Sequence, residues 1–161
     1  MPLSLERTSP TILTVTRRFA APPRRLWDAH TQADLIPRWM TGPEGWAMTH
    51  CEIDPRAGGH ARYEWQETTT GEGFAQSADF ELLEPPHRIV HVERFHMPHD
   101  PTPTPDARVE TLFEPEGTGT RMTMTITVAS AEAMEAMLAT GMEDGMEASY
   151  DRIDGTVAEP A

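Results

Sequence analysis

The chain has 161 residues, 38% of them hydrophobic, and its 13 arginines and no lysine face 26 acidic residues for a net charge of −13. That length suits one domain able to bury a real core. The charge argues against a nucleic-acid or anionic-membrane surface, and the single cysteine, Cys51, excludes an internal disulfide or a multi-cysteine metal site. No apolar run is long enough to span a bilayer. The N-terminus lacks the basic start and apolar stretch of a signal peptide, so a cytoplasmic protein is expected.

Residues 1–10 read as a flexible N-terminal arm, and 11–158 as the domain. Ile12 to Phe19 (ILTVTRRF) is β-branched and nearly alternating, which predicts a strand with Leu13, Val15 and Phe19 on one face. Pro22 and Pro23 end it and suit the first turn of a short helix with Leu26 and Trp27 turned inward. Thr31 with Asp34 three residues on resembles a capping pair that opens a second short helix, TQADLIPRW.

From about Trp46 to Val128 six strand candidates follow: MTHCEID, HARYEWQ, FAQSADFELL, RIVHVERF, ARVETLF and TRMTMTITV. Gly- and Pro-bearing turns separate them, and such short connections favour an antiparallel meander. Pro98 to Asp106 holds four prolines and is a long loop of the kind found beside ligand entrances. Alternation turns Cys51, Ile53, Ala61, Tyr63, Trp65, Phe80 and Leu82 inward, then Val109, Thr111, Phe113, Met122, Met124 and Ile126. RIVHVERF has two phases: Ile89, His91, Glu93 and Phe95 inward, which is preferred, or Val90 and Val92. Ser130 is a good N-cap for one long C-terminal helix. That helix points Met134, Met137, Leu138, Met142 and Met146 at the sheet. Gly141 and Gly145, four apart, allow either a close helix–sheet approach or room between the layers.

In order and spacing, TRRFAAPPRRLWDAHT, LIPRWM-TGPEGW, CEIDPRAGG, LLEPPHRIV, GTRMTMTI and GMEDGMEASYDRI together resemble the START-like, helix-grip SRPBCC superfamily. Within it they are similar to the homologues of the activator of heat-shock protein 90 ATPase, over residues 12–157. The resemblance implies an α+β fold: a curved seven-stranded antiparallel sheet around a long C-terminal helix, two short helices between strands 1 and 2, and a mostly apolar cavity. Where the family commonly has two adjacent aromatics, this chain has Trp39 and Met40.

The expected function is binding of a small hydrophobic molecule, aromatic or lipid-like. Its lining would be Trp39, Trp46, Tyr63, Trp65, Phe80, His91, Phe95, Met124, Met137, Leu138, Met142 and Met146. Thioethers adapt to varied shapes, although a methionine also simply fills an irregular core. Trp39 and Trp46 flank the TGPEG turn, either closing over a ligand or packing as a lid on the sheet edge. Tyr63 and His91 would orient the guest. The alternatives are a cyclase- or hydrolase-type enzyme using His91 with Glu93 or Tyr63, and a co-chaperone-like module for a heat-shock protein 90 homologue. His96 and His99 lack a second anchored pair of ligands, so neither a metal nor a cofactor is expected. A homodimer is possible through an open sheet edge.

Overall fold

The computed structural model describes residues 3–157. Their elements are β1 (Ser4–Ser9), β2 (Ile12–Phe19), α1 (Pro23–Thr31), α2 (Ile36–Trp39), β3 (Trp46–Ile53), β4 (His60–Glu67), β5 (Gly73–Glu84), β6 (Arg88–His96), β7 (Ala107–Glu116), β8 (Gly119–Thr127), α3 (Ala131–Ala139) and α4 (Met142–Val157). All strands join one antiparallel sheet in the order β1-β2-β8-β7-β6-β5-β4-β3. Consecutive strands from β3 to β8 are neighbours, the meander that their short turns predict. Helices cover one face, with α1, α2 and α4 packed on one another.

Three expectations about the elements themselves are corrected. The sheet has eight strands, because Ser4–Ser9 of the expected arm pairs with β2, Leu5 opposite Val15. Leu3 and Leu5 pack against buried apolar side chains, and that burial fixes the segment. Residues 1 and 2 of the expected arm, and residue 158 at the end of the expected domain, lie outside the described residues. Second, α2 is a single turn without a side-chain cap. Thr31 instead ends α1, its hydroxyl donating to the Trp27 carbonyl at 2.8 Å, and so is not free to cap. Third, the C-terminal helix is two helices. Ser130 caps α3 through its Oγ, which accepts from the Ala133 N–H at 3.1 Å. Gly141 then takes φ +78° and breaks the helix, a conformation a side-chain-bearing residue rarely adopts.

Register fixes the inner face. His91 lies opposite Val109 on one side and Phe80 on the other, so the phase with Ile89, His91, Glu93 and Phe95 inward is the one adopted. A bulge between Phe80 and Leu82 reverses the expected side of Leu82. Beyond it Leu83 lies opposite Ile89 and joins the core, while Leu82 lies opposite Val90. The turn before β4 is tied to this point, since Gly58 N–H donates to the Phe80 carbonyl and Phe80 N–H to that of Gly59, each at 2.9 Å.

On β2 the inward phase of Leu13, Val15 and Phe19 also includes Arg17, 2% exposed. Its guanidinium donates to Asp151 at 2.9 Å and to Asp154 at 3.0 Å, both on α4, and lies over the Phe19 ring at 4.6 Å. Those hydrogen bonds hold its pKa above the ordinary value although burial works against it. The arginine side chain is fully enclosed, while both aspartates reach solvent.

Removing both carboxylates strands a buried cation, whereas removing the cation leaves two aspartates that water can solvate. Asp151→Asn with Asp154→Asn is therefore expected to cost about 3 kcal/mol. Arg17→Met, which also eliminates a buried Nε without an acceptor, is expected to cost less than half as much. Urea unfolding midpoints of the two variants check the order; equal losses would contradict it.

Candidate functional site

The buried apolar residues form two groups. One joins Phe19, Leu26, Trp27, Ile36, Trp39, Tyr63, Trp65, Phe80, Ile89, Phe113, Met122, Tyr150 and Ile153. The other joins Leu13, Val15, Ala107, Val109, Ile126 and Met134. Half-buried Met124 and Met146 touch both groups. On the inner face beside them, in register with Tyr63, Phe80 and Ala78, stand polar side chains that no sheet interior needs: Gln76, His91 and Glu93.

These three residues are joined. His91 Nε2 donates to Glu93 Oε1 at 2.7 Å, and Gln76 Nε2 donates to the same oxygen at 3.2 Å. The His91 and Glu93 side chains are each 17% exposed, so neither is sealed in packing. Two phenols feel the charge of this carboxylate. Burial raises the pKa of Tyr63, helped by Cys51 and Glu93; burial and then Glu93 raise that of Tyr150, with Arg17 acting against them. Both tyrosines therefore carry their protons at any physiological pH.

His30 on α1 closes the other side. Its ring stands 4.7 Å from Trp39, 4.9 Å from Phe113 and 6.5 Å from Tyr150. Its Nδ1 is 2.7 Å from the Leu26 carbonyl, an acceptor, so Nδ1 carries the proton and the bare Nε2 has no partner. Desolvation lowers its pKa to about 4, the Leu26 hydrogen bond acts against it, and the neighbouring His91 imidazole adds to the lowering.

The predicted lining divides into three. Tyr63, Phe80 and His91 meet around Glu93, with the Phe80 and His91 rings 6.2 Å apart. Met124 and Met146 bridge the two apolar groups, and Met137, Leu138 and Met142 pack half-buried against the second. Trp65, its ring 6.0 Å from that of Tyr63, continues into a row of rings built on Phe74: Trp65 stacks on it at 4.8 Å, Trp46 meets it edge-on at 5.3 Å, and Phe95 lies at 6.3 Å. The Pro-rich loop hooks onto this row, since the Thr104 hydroxyl accepts from the Phe95 N–H at 2.8 Å. Trp39 is core: 2% exposed, stacked on Tyr150 at 5.6 Å, its indole N–H donating to the Ala29 carbonyl.

Gln76, Phe74, His30 and Tyr150 join the candidate site without having been expected there. Strand pairing selects the first two, and helix docking the others. A depression of about 340 Å³ lies elsewhere, lined by Thr49, Arg62, Glu64, Gln66, Ala75 and His96 with Trp65 and Phe74 among its walls. The turn aspartate Asp54 pairs with Arg56 at 2.8 Å, and His96 with Ser77 at 2.9 Å, so both motifs serve local structure. Among the described residues no group of three His, Cys, Asp or Glu side chains is placed to hold a metal ion, and no helix is long and apolar enough to cross a membrane.

The family model for Activator of Hsp90 ATPase homolog 1-like protein matches residues 20–158. The chain belongs to this family. Its fold is that of the START-like SRPBCC superfamily. A Rhodobacter sphaeroides crystal structure is 32% identical and superposes with a TM-score of 0.87, over 98% of this chain and 99% of its own. A Mycobacterium smegmatis crystal structure is 26% identical (TM-score 0.84, 96% of both chains), and an Arthrobacter aurescens solution structure 27% identical (TM-score 0.84, 98% of this chain and 92% of its own). No curated protein matches the sequence. In this member of the family Glu93, His91 and Gln76 give the inner face of the sheet a polar centre.

His30 sets an acid limit on the fold. Its folded pKa lies below the ordinary value of about 6.5, so between pH 6.5 and 4 the unfolded chain binds the extra proton and stability falls as pH falls. The full loss is roughly 3 kcal/mol by pH 4 and nothing above pH 7. His30→Gln is expected to flatten the pH dependence of the urea midpoint across that window, and an unchanged slope would exclude His30 as its source.

Proposed function

We propose that the protein binds a small hydrophobic molecule, aromatic or lipid-like, in the cleft between the inner face of the sheet and helices α3 and α4. One observation carries this reading: the apolar interior is divided between two groups bridged by half-buried Met124 and Met146, and the same inner face carries a polar group that is not sealed in packing. A sheet interior built only for stability would carry apolar side chains at those polar positions. Apolar walls with a few convergent polar groups are what a small-molecule site requires. Family membership supports the reading without selecting the guest. A cytoplasmic site of action is part of it.

Burial would supply most of the affinity. A guest that hides about 200 Å² of apolar surface gains about 5 kcal/mol, of which the cost of association removes a large part. Polar contacts to Tyr63 and His91 would then set orientation.

The neutral fluorophore N-phenyl-1-naphthylamine tests the cleft. Wild-type protein is expected to bind it with a blue-shifted, enhanced emission. Met146→Trp, which fills the bridge between the two apolar groups, is expected to weaken binding at least tenfold while the far-ultraviolet circular dichroism stays unchanged. An absence of binding, or equal binding by the folded variant, would sink the proposal.

A cyclase- or hydrolase-type enzyme is the second reading, favoured by the 2.7 Å contact of His91 with Glu93. A carboxylate that orients an imidazole is the arrangement a general base needs. In this reading His91 moves the proton and Glu93 positions it. A co-chaperone-like contact with a heat-shock protein 90 homologue has the family description as its support.

A further inference from the structure

We infer that the cleft selects hydrophobic amines, holding the ligand's ammonium on the free Oε2 of Glu93 and rejecting hydrophobic carboxylates. The inference rests on the cleft-binding reading and names the class of guest. Its starting point is an asymmetry at Glu93. Both donors that reach this carboxylate, His91 and Gln76, use Oε1, and among the described residues Oε2 has no partner. The side chain is thus fixed from one side by two hydrogen bonds while its second oxygen remains available. A carboxylate held in this way needs no reorganisation to receive a donor.

The surroundings favour a cation. Phe80 on β5 sets its ring 6.2 Å from the His91 ring, and Tyr63 on β4 and Tyr150 on α4 both feel the Glu93 charge; aromatic rings attract an ammonium. Of the buried side-chain atoms left unpaired among the described residues, Arg17 Nε and the Thr41 hydroxyl are donors, while the two nearest the carboxylate's own network, on His30 and His91, are acceptors. His30 Nε2 is bare, because Nδ1 holds the proton. In the neutral ring His91 Nδ1 is bare for the same reason, since Nε2 donates to Glu93. A donor-bearing head group is what such a set lacks.

The same features oppose an acid. A ligand carboxylate beside Glu93 would place two negative charges together where water is partly excluded, with no added cation to compensate. Arg17 points inward and its charge reaches Tyr150, but Asp151 and Asp154 already engage it from α4. The net charge of −13 acts in the same sense, drawing cations toward the protein and repelling anions.

Three naphthalene derivatives of nearly equal size separate head group from burial: 1-(aminomethyl)naphthalene, 1-naphthalenemethanol and 1-naphthoic acid. Each is titrated by isothermal calorimetry at pH 8 and 0.15 M salt into the full chain and into Glu93→Gln. The wild type is expected to bind the amine at least tenfold more tightly than the acid. Glu93→Gln is expected to abolish the amine's advantage over the alcohol while its affinity for the alcohol stays within about twofold. Because Glu93→Gln changes the net charge by one unit only, an amine preference that survives it is bulk attraction and overturns the inference. Equal affinities in the wild type, or preference for the acid, overturn it too while leaving the cleft intact. Failure of all three compounds removes the cleft reading together with it. Should Glu93→Gln not fold, nuclear Overhauser contacts in the wild type between the ligand's aminomethyl protons and the Tyr63 and Tyr150 rings decide the point: their presence supports the site, and their absence from a bound complex refutes it.

Discussion

A single buried cation sets the relation between the two layers. Arg17 projects from β2 into the interior, where no water can solvate it, and the carboxylates of Asp151 and Asp154 on α4 are what make that position tolerable. The demand is directional. The guanidinium must meet both aspartates, one helical turn apart, so α4 can neither slide nor rotate far without exposing an uncompensated charge. Phe19 beneath the guanidinium and Tyr150 on the same helix, 5.8 Å apart, then pack edge to face, and Trp39 stacks on the other side of Tyr150. The second clasp is polar as well: Ser149 Oγ accepts from the Gly42 N–H at 3.0 Å, and Arg152 donates to the Gly42 carbonyl at 2.7 Å. Helix α4 is thus pinned along one flank by hydrogen bonds that specify its place rather than by apolar area alone.

Pinning that flank leaves the other free to differ. Helix α3, separated from α4 by the left-handed turn at Gly141, buries only Met134 fully and lays Met137 and Leu138 half-buried over the second apolar group. The core is consequently dense near α1, α2 and the end of β2 and looser toward α3. The polar group of Gln76, His91 and Glu93 lies on the same inner face. Such a group is a poor choice for stability, since a half-satisfied buried network costs more than apolar packing. It is the feature on which the proposed binding reading rests.

Much of the fold was legible in the sequence. The six strands from Trp46 to Thr127, the helix after Pro22 and the cap at Ser130 follow from alternation, turn residues and hydroxyl capping, all of which act within a few residues. The inward phase of β6 was legible too, though the alternating Val90 and Val92 competed with it. Errors fell where a distant partner decides. Ser4–Leu5 carries no strand signal strong enough to stand without β2; Thr31 looks like a cap until its hydroxyl is found on Trp27. Leu82 changes sides because one extra residue at the bulge shifts the pleat, and the pattern itself offers no mark of it. Of the site, Tyr63, Phe80, His91 and the methionines were legible as inward positions, whereas Trp39 proved to be packing.

From its own residues the chain determined which segments extend, which coil and which side of each strand is apolar, because these depend on local sterics and on a period of two or of 3.6. It also determined an acidic, lysine-free surface. Only the tertiary structure decided that Arg17 would be enclosed by two aspartates more than 130 positions away, that His30 would face Tyr150, and that Glu93 would take both of its donors on one oxygen. Those outcomes depend on register and on the docking of one helix. Both are set by the sum of many weak contacts across the sheet, a quantity that no single stretch of sequence contains.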